Sequence, residues 1–461
     1  MFSKETYTSR RAALRKLLQG EKGIAVFIGN AEAPAQYRDN CYKFRQDSTW
    51  LYYFGIDEPR FAAVIDLEDG TETIFADDVS IDDIIWMGPQ PSVAQQAAEA
   101  GVAHSAAYSG LGSAVGKALA QGRPVHTIPP SRYYNTLKLK ELGIDGQPSE
   151  ALIRAIIAMR LVKTPEEIAE LDAAGVLGQK MHTVARKGIR PGRVEQEIVG
   201  EMEGVTLSEG WGVSFPTILT QHGEVFHNHG HAGVIEPGKL MVVDAGAETN
   251  SHYASDFTRT YPTGGKYSPR QRDIYQIVYD CHELAFSLIR PGVRYCDVHL
   301  AAARLMLDRL GQLGLVKGDL DEMVAAGVAG LFMPHGLGHN MGLDVHDMED
   351  LGEDLVGYDT DQLRSKQLGL GSLRMARRLV AGNVITDEPG IYFIPDFVEL
   401  WKKEGRPFVN YAALAEGYYD FGGIRLEDDV LVTGDGARRL GGTRLPASPD
   451  EIEAAMAADR A

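Results

Sequence analysis

The chain has 461 residues, 44% of them hydrophobic, and a formal charge of −18 at neutral pH. This length and apolar content allow two or three domains with sizeable cores. The acidic balance argues against nucleic acid or an anionic membrane surface as a partner, because both attract basic patches, and it suits a site that must hold cations.

The N-terminal stretch MFSKETYTSRRAALRKLL has no apolar core of signal-peptide length, and no apolar run approaches the roughly 20 residues of a membrane span, so a cytoplasmic protein is expected. Cys41, Cys281 and Cys296 are widely scattered and lack CxxC spacing, which indicates neither a disulfide framework nor a zinc ribbon.

Residues 1–160 read as a small α/β domain. A basic amphipathic helix leads into the strand-like GIAVFIGN, and FAAVIDL and TETIFA flank Asp69-Gly70, a pair suited to a tight hairpin turn. The glycine-rich stretch from Gly110 to Lys117 resembles a phosphate loop, but its spacing is wrong and Ala118 stands where a hydroxyl residue is required. Trp86, beside a Gly-Pro turn, is expected at a surface or an interface.

The pattern changes at residues 160–164, and residues 161–461 read as a second domain. Thr164-Pro165-Glu166-Glu167 predicts a capped helix start, and the helix should end before Ile189-Arg-Pro-Gly192. A second helix starting at Ser268-Pro269 should end before Ile289-Arg-Pro-Gly292, a repeat of the same tetrapeptide. Gly238-Lys-Leu-Met-Val-Val-Asp244-Ala-Gly246 likewise aligns with Gly382-Asn-Val-Ile-Thr-Asp-Glu388-Pro-Gly390. Two half-domains about a pseudo-twofold axis would bring Asp244 and Glu388 into one cleft.

On their own, Asp244 and Asp256 fit a strand cap followed by a solvated turn residue as well as they fit a site. The intervening and following segments favour a site. His335, His339 and His346 fall within twelve residues, HGLGHNMGLDVH, threaded with glycines that disfavour a helix. The strand GGIRLEDDVLV carries Glu427, with Asp428 and Asp429 expected at a turn or on the surface. Four carboxylates, Asp244, Asp256, Glu388 and Glu427, would repel each other strongly unless cations neutralised them. A set of four oxygen donors and one imidazole is hard and suits manganese, with zinc, cobalt or iron as alternatives. Two such ions can activate a water and polarise an amide.

The ordered set of DAG followed after nine residues by Asp256, HGLGHNMGLDVHD, EPG and GIRLEDD resembles the dinuclear metallopeptidases of the aminopeptidase P, prolidase and methionine aminopeptidase group, which share the pita-bread fold. KFRQDSTWLYYFGIDEP resembles the N-terminal domain of the aminopeptidase P and prolidase branch. The resemblance implies an α+β protein: a pita-bread catalytic domain, itself a pseudo-twofold α/β repeat, behind a smaller α/β domain. It implies that Asp244, Asp256, His339, Glu388 and Glu427 bind two metal ions, with Asp256 and Glu427 bridging them. It places His227, His335 and His346 on the substrate side, makes Glu388 a proton shuttle, and has Arg425 orient the carboxylates. The two aspartates stand one residue further apart than in many members of the group, which a longer turn accommodates. His229 and His231 are read as surface loop residues rather than a second metal clip.

Ser372-Leu373-Arg374-Met-Ala-Arg377 and the segment from Tyr392 to Gly422 resemble the prolidase branch. There the first arginine, Arg374, grips the carboxylate of an Xaa-Pro dipeptide, with Tyr392 and Trp86 also assigned to substrate. The alternative for Arg374 is a solvated basic face. The tryptophan implies an oligomer, with a homodimer expected. The rival functions are an aminopeptidase acting on longer Xaa-Pro peptides, a non-catalytic peptide-binding module, and a metal-free creatinase-like hydrolase; the last two should lack the full ligand set.

Overall fold

The computed structural model describes residues 2–461. They form two compact units: residues up to Arg160 with Glu349–Gly352, and Leu161–Met348 with Glu353–Ala461.

The first unit is built on a five-stranded mixed sheet in the order His104–Ala106, Glu72–Phe75, Ala62–Asp66, Ile24–Ile28, Val125–His126. The hairpin expected around Asp69-Gly70 joins Ala62–Asp66 to Glu72–Phe75, and Gly70 takes the positive φ of 78° that the turn requires. In helix Ser48–Phe54 every residue is buried; Asp47 caps it by accepting the Trp50 N–H at 2.8 Å. The glycine-rich stretch is helix Gly110–Ala120, whose Leu111, Val115 and Ala118 pack into the core of this unit.

The second unit repeats one motif twice. Thr164 and Ser268 each close a capping box at the head of a long helix, Pro165–Gly188 and Pro269–Leu288. Each helix runs into its Ile-Arg-Pro-Gly turn, where Gly192 and Gly292 both have φ 89°. Next come the helices Glu195–Glu209 and Tyr295–Gln312. Each turn docks in the same way: the Gly192 N–H donates to Ile235 O and the Gly292 N–H to Leu379 O, both at 2.8 Å.

The strands obey the same symmetry. Leu240–Ala245 pairs antiparallel with Phe257–Pro262, and Val384–Asp387 with Asp428–Val432. Val243 lies opposite Arg259 in the first pair and Asp387 opposite Asp428 in the second. The halves meet where Thr258 and Glu427 exchange backbone hydrogen bonds of 3.3 and 3.0 Å. One residue on, Arg259 and Asp428 form a buried ion pair at 2.7 Å.

Asp428 and Asp429 thus correct the expectation of surface or turn charges. The strand continues past Glu427, leaving them 2% and 1% exposed. Burial pushes the Asp428 carboxyl up, but Arg259, His282 and Arg439 outweigh it and hold the pKa down at about 2. Asp429 accepts the backbone N–H of Asp256 at 3.0 Å. Cys281 is a core thiol, and none of the three cysteines is in a disulfide. Among the described residues no helix is long and apolar enough to cross a membrane.

Candidate active site

Leu240–Ala245 is buried at every position, which is why it reads as a continuous apolar run. Asp244 interrupts that run at 9% exposure. The chain returns to Asp256 through a turn in which His252 adopts φ 70°, rare for a residue with a side chain; the Glu248 carboxylate holds its Nδ1 at 2.9 Å. Gly246 permits the close return, since a Cβ there would lie 1.7 Å from Ser255 O.

His339 comes from an extended segment beside Val384–Asp387. Its N–H donates to Thr386 Oγ1 and its carbonyl accepts the Thr386 N–H, both at 3.0 Å. Gly338 is required beside it, because a Cβ would lie 2.2 Å from Thr386 O. His339 Nδ1 lies 3.0 Å from Asn340 O and, facing a carbonyl, must carry the proton. The Nε2 lone pair therefore faces Asp256 Oδ2 at 3.5 Å and Glu388 Oε1 at 3.9 Å.

One cavity of about 490 Å³ gathers these groups. All five candidate ligands line it, as do His227, His335, His346, Arg374 and Arg425. Ligand atoms of Asp256, His339 and Glu427 lie within 4.8 Å of one another. Burial, reinforced by neighbouring carboxylates, pushes Asp256 and Glu427 well above the usual carboxylate range. Burial likewise raises Glu388, against the pull of His339 and Arg425. Asp244 Oδ1 and Asp256 Oδ1 are buried without a hydrogen-bond partner among the described residues. Crowded acids with orphaned oxygens and an aimed imidazole lone pair fit a divalent cation well.

Arg425 braces the acids from behind. It donates to Asp244, to Thr258 Oγ1 at 3.2 Å and to the Tyr392 hydroxyl at 2.8 Å. The Thr258 hydroxyl in turn donates a hydrogen bond to Glu427 Oε2 at 2.7 Å. Tyr392, assigned above to substrate, is instead fully buried. Its hydroxyl, 2.9 Å from His335 Nε2, donates there, because His335 Nδ1 gives its hydrogen to Gly336 O at 2.7 Å. Burial, then Arg425, drives the His335 pKa down to about 3, which keeps the ring neutral. His346 stacks on His339 with centroids 3.8 Å apart.

Arg374 reaches the cavity with its side chain 41% exposed and Nη1 3.2 Å from Glu353 Oε2. Trp86 is not among the lining residues; it lies in the first unit on helix Ile81–Met87, 85% exposed. The HNHGH string divides in two. Asn228 Nδ2 donates to Thr220 Oγ1 at 2.9 Å and His231 Nδ1 contacts Leu219 O at 3.2 Å, while His227 and His229 line the cavity. His229 is exposed, as expected of a surface loop residue, and also lines the cavity. Phe226, whose ring lies 5.7 Å from His335, had no sequence signal.

Residues 169–434 match the metallopeptidase family M24, and residues 7–126 match the aminopeptidase P N-terminal domain. The chain belongs to family M24. This M24 chain is 32% identical over 456 residues to the Xaa-Pro dipeptidase of Homo sapiens, covering 94% of the chain and 88% of that relative. It is 31% identical to the Xaa-Pro aminopeptidase of Escherichia coli K12, covering 99% of each. Among solved structures, Escherichia coli aminopeptidase P with the inhibitor Pro-Leu superposes with a TM-score of 0.80 at 29% identity, covering 100% of the chain and 99% of that structure.

Proposed function

We propose that this M24 metallopeptidase hydrolyses the bond between an N-terminal residue and proline, with Xaa-Pro dipeptides preferred. The observation that carries the reading is the convergence of Asp244, Asp256, His339, Glu388 and Glu427 on one cavity beside three further histidines. Those five residues would hold two divalent cations, with manganese suited to their oxygen-rich set. When bound, the pair supplies Lewis-acid polarisation of the scissile carbonyl and a nucleophile from water at neutral pH.

The chain supplies the rest. Arg425 fixes Asp244, and through Thr258 it also fixes Glu427. His346 donates a hydrogen bond to the oxyanion as it develops. Glu388, whose carboxyl burial has raised, takes a proton and delivers it to the proline nitrogen as the amide breaks. Proline's nitrogen carries no hydrogen, so a site that relies on accepting that N–H rejects it and a dedicated pocket is needed.

Relatives of nearly equal identity carry the names dipeptidase and aminopeptidase. Arg374 on the cavity wall favours the dipeptide, because a guanidinium matches a free carboxylate in bidentate geometry. A side-by-side assay of Ala-Pro and Ala-Pro-Ala tests this: a higher kcat/KM for the dipeptide is expected, and a higher value for the tripeptide would make the enzyme an aminopeptidase. The exposed apolar side chains of Ile81, Ile85, Trp86 and Met87 support a homodimer, measurable by sedimentation; a cytoplasmic location completes the reading.

A further inference from the structure

Lys163 and Asp347 form a salt bridge of 2.8 Å in which neither side chain is more than 2% exposed. The chemistry proposed above uses neither residue. Yet Asp347 directly follows His346, and its groups close the loop that carries the imidazole. Its Oδ1 accepts the Asp344 N–H at 3.3 Å, and its own N–H donates to Asn340 O at 3.0 Å. Asn340 is bridged in turn to Ile385, inside strand Val384–Asp387. The loop packs directly on the carboxylate: a Cβ on Gly342 would lie 2.3 Å from Asp347 Oδ2.

The remaining oxygen, Oδ2, receives the Lys163 ammonium. Lys163 is itself fixed, its N–H donating to Gly382 O at 2.9 Å and its neighbour Thr164 capping the helix Pro165–Gly188. The ammonium therefore reaches the His346 loop from a separate, rigid element. A buried ion pair is a poor source of stability compared with apolar residues of the same volume, and its best-attested use is to select one geometry among several. Here the geometry selected is that of the loop holding His346 against His339, with ring centroids 3.8 Å apart.

We propose that Lys163 and Asp347 are positioning residues for His346, the ion pair locking the loop so that the imidazole meets the reacting carbonyl. The inference rests on the reading of His346 as a substrate-side group. Misplacing such a group by about 1 Å costs on the order of a hundredfold in rate. Lys163→Met in the manganese-loaded enzyme should therefore lower kcat for Ala-Pro by about a hundredfold, with KM changed by less than about threefold.

The decisive measurement is a double-mutant cycle. In a His346→Ala background, Lys163→Met should change kcat by less than about threefold, because the group it positions is gone. Effects that multiply, or an unchanged kcat in the single variant, would overturn the inference. Should Lys163→Met fail to fold, the paired change Lys163→Met/Asp347→Asn removes both charges of the pair together and is carried through the same cycle. If His346→Ala alone keeps wild-type kcat, the reading of the site falls together with the inference. If His346→Ala is impaired and the Lys163 effect still multiplies, only the inference falls.

Discussion

Thr258 and Glu427 face each other across the axis relating the two halves of the second unit, exchanging backbone hydrogen bonds while the threonine hydroxyl donates to the Glu427 carboxylate at 2.7 Å. The same oxygen accepts from Arg425 Nε at 3.2 Å, so one hydroxyl joins the arginine to the acid. Partners behind a ligand set its orientation and commonly account for tenfold to hundredfold in affinity. Thr258→Val keeps the shape and removes the hydroxyl. We expect manganese affinity to fall about tenfold to hundredfold, measured by titration calorimetry; an unchanged affinity would show that Glu427 needs no such partner.

Burial and the repulsion of neighbouring carboxylates hold Asp256 well above the usual carboxylate range. Asp256→Asn removes one of those charges. The metal-free variant should be more stable than the metal-free wild type, by about 1–3 kcal/mol, while losing most of the thermal stabilisation that added manganese gives. Paired denaturation curves with and without the ion check this, and a metal-free variant less stable than wild type would contradict it.

The two halves of this site differed in how far the sequence revealed them. Asp244 and Glu388 are legible because equal spacings between glycines and acids mark equivalent places in a repeat, and the leading glycine of each marks a turn that few other residues can make: Gly238 has φ 79° and Gly382 φ 92°. Asp428 and Asp429 were misread because consecutive acids ordinarily sit in water. Arg259, which neutralises Asp428, lies 169 positions away in the chain, and no local pattern reveals it. Tyr392 was assigned to substrate for a similar reason. A tyrosine beside a glycine turn carries no local mark that its hydroxyl will be enclosed between Arg425 and His335.

Arg374→Ala should raise KM for Ala-Pro about tenfold or more, with a much smaller effect on Ala-Pro-Ala, whose carboxylate lies one residue further on. Steady-state kinetics on both peptides provide the check. Equal effects on the two would mean that Arg374 serves its contact with Glu353 rather than the substrate.

Two histidines far from solvent make stability depend on pH. Burial lowers His299 from 6.5 to about 4, and burial followed by the charge of Arg259 does the same to His182. Between these values the unfolded chain binds protons that the folded chain refuses, so their contribution is complete above about pH 6.5 and falls as pH drops toward 4. Each histidine accounts for about 3 kcal/mol across that window. Comparing metal-free wild type with His299→Leu in denaturant at pH 7.5 and pH 4.5 isolates one of them: the variant should lose less stability on acidification. Equal losses would contradict the assignment.

The most direct test of the central claim is a metal titration. Protein stripped by exhaustive chelation should have no activity on Ala-Pro, and manganese should restore it with saturation near two ions per chain, as two cations held by Asp244, Asp256, His339, Glu388 and Glu427 require. Hydrolysis that survives complete removal of metal would contradict the account.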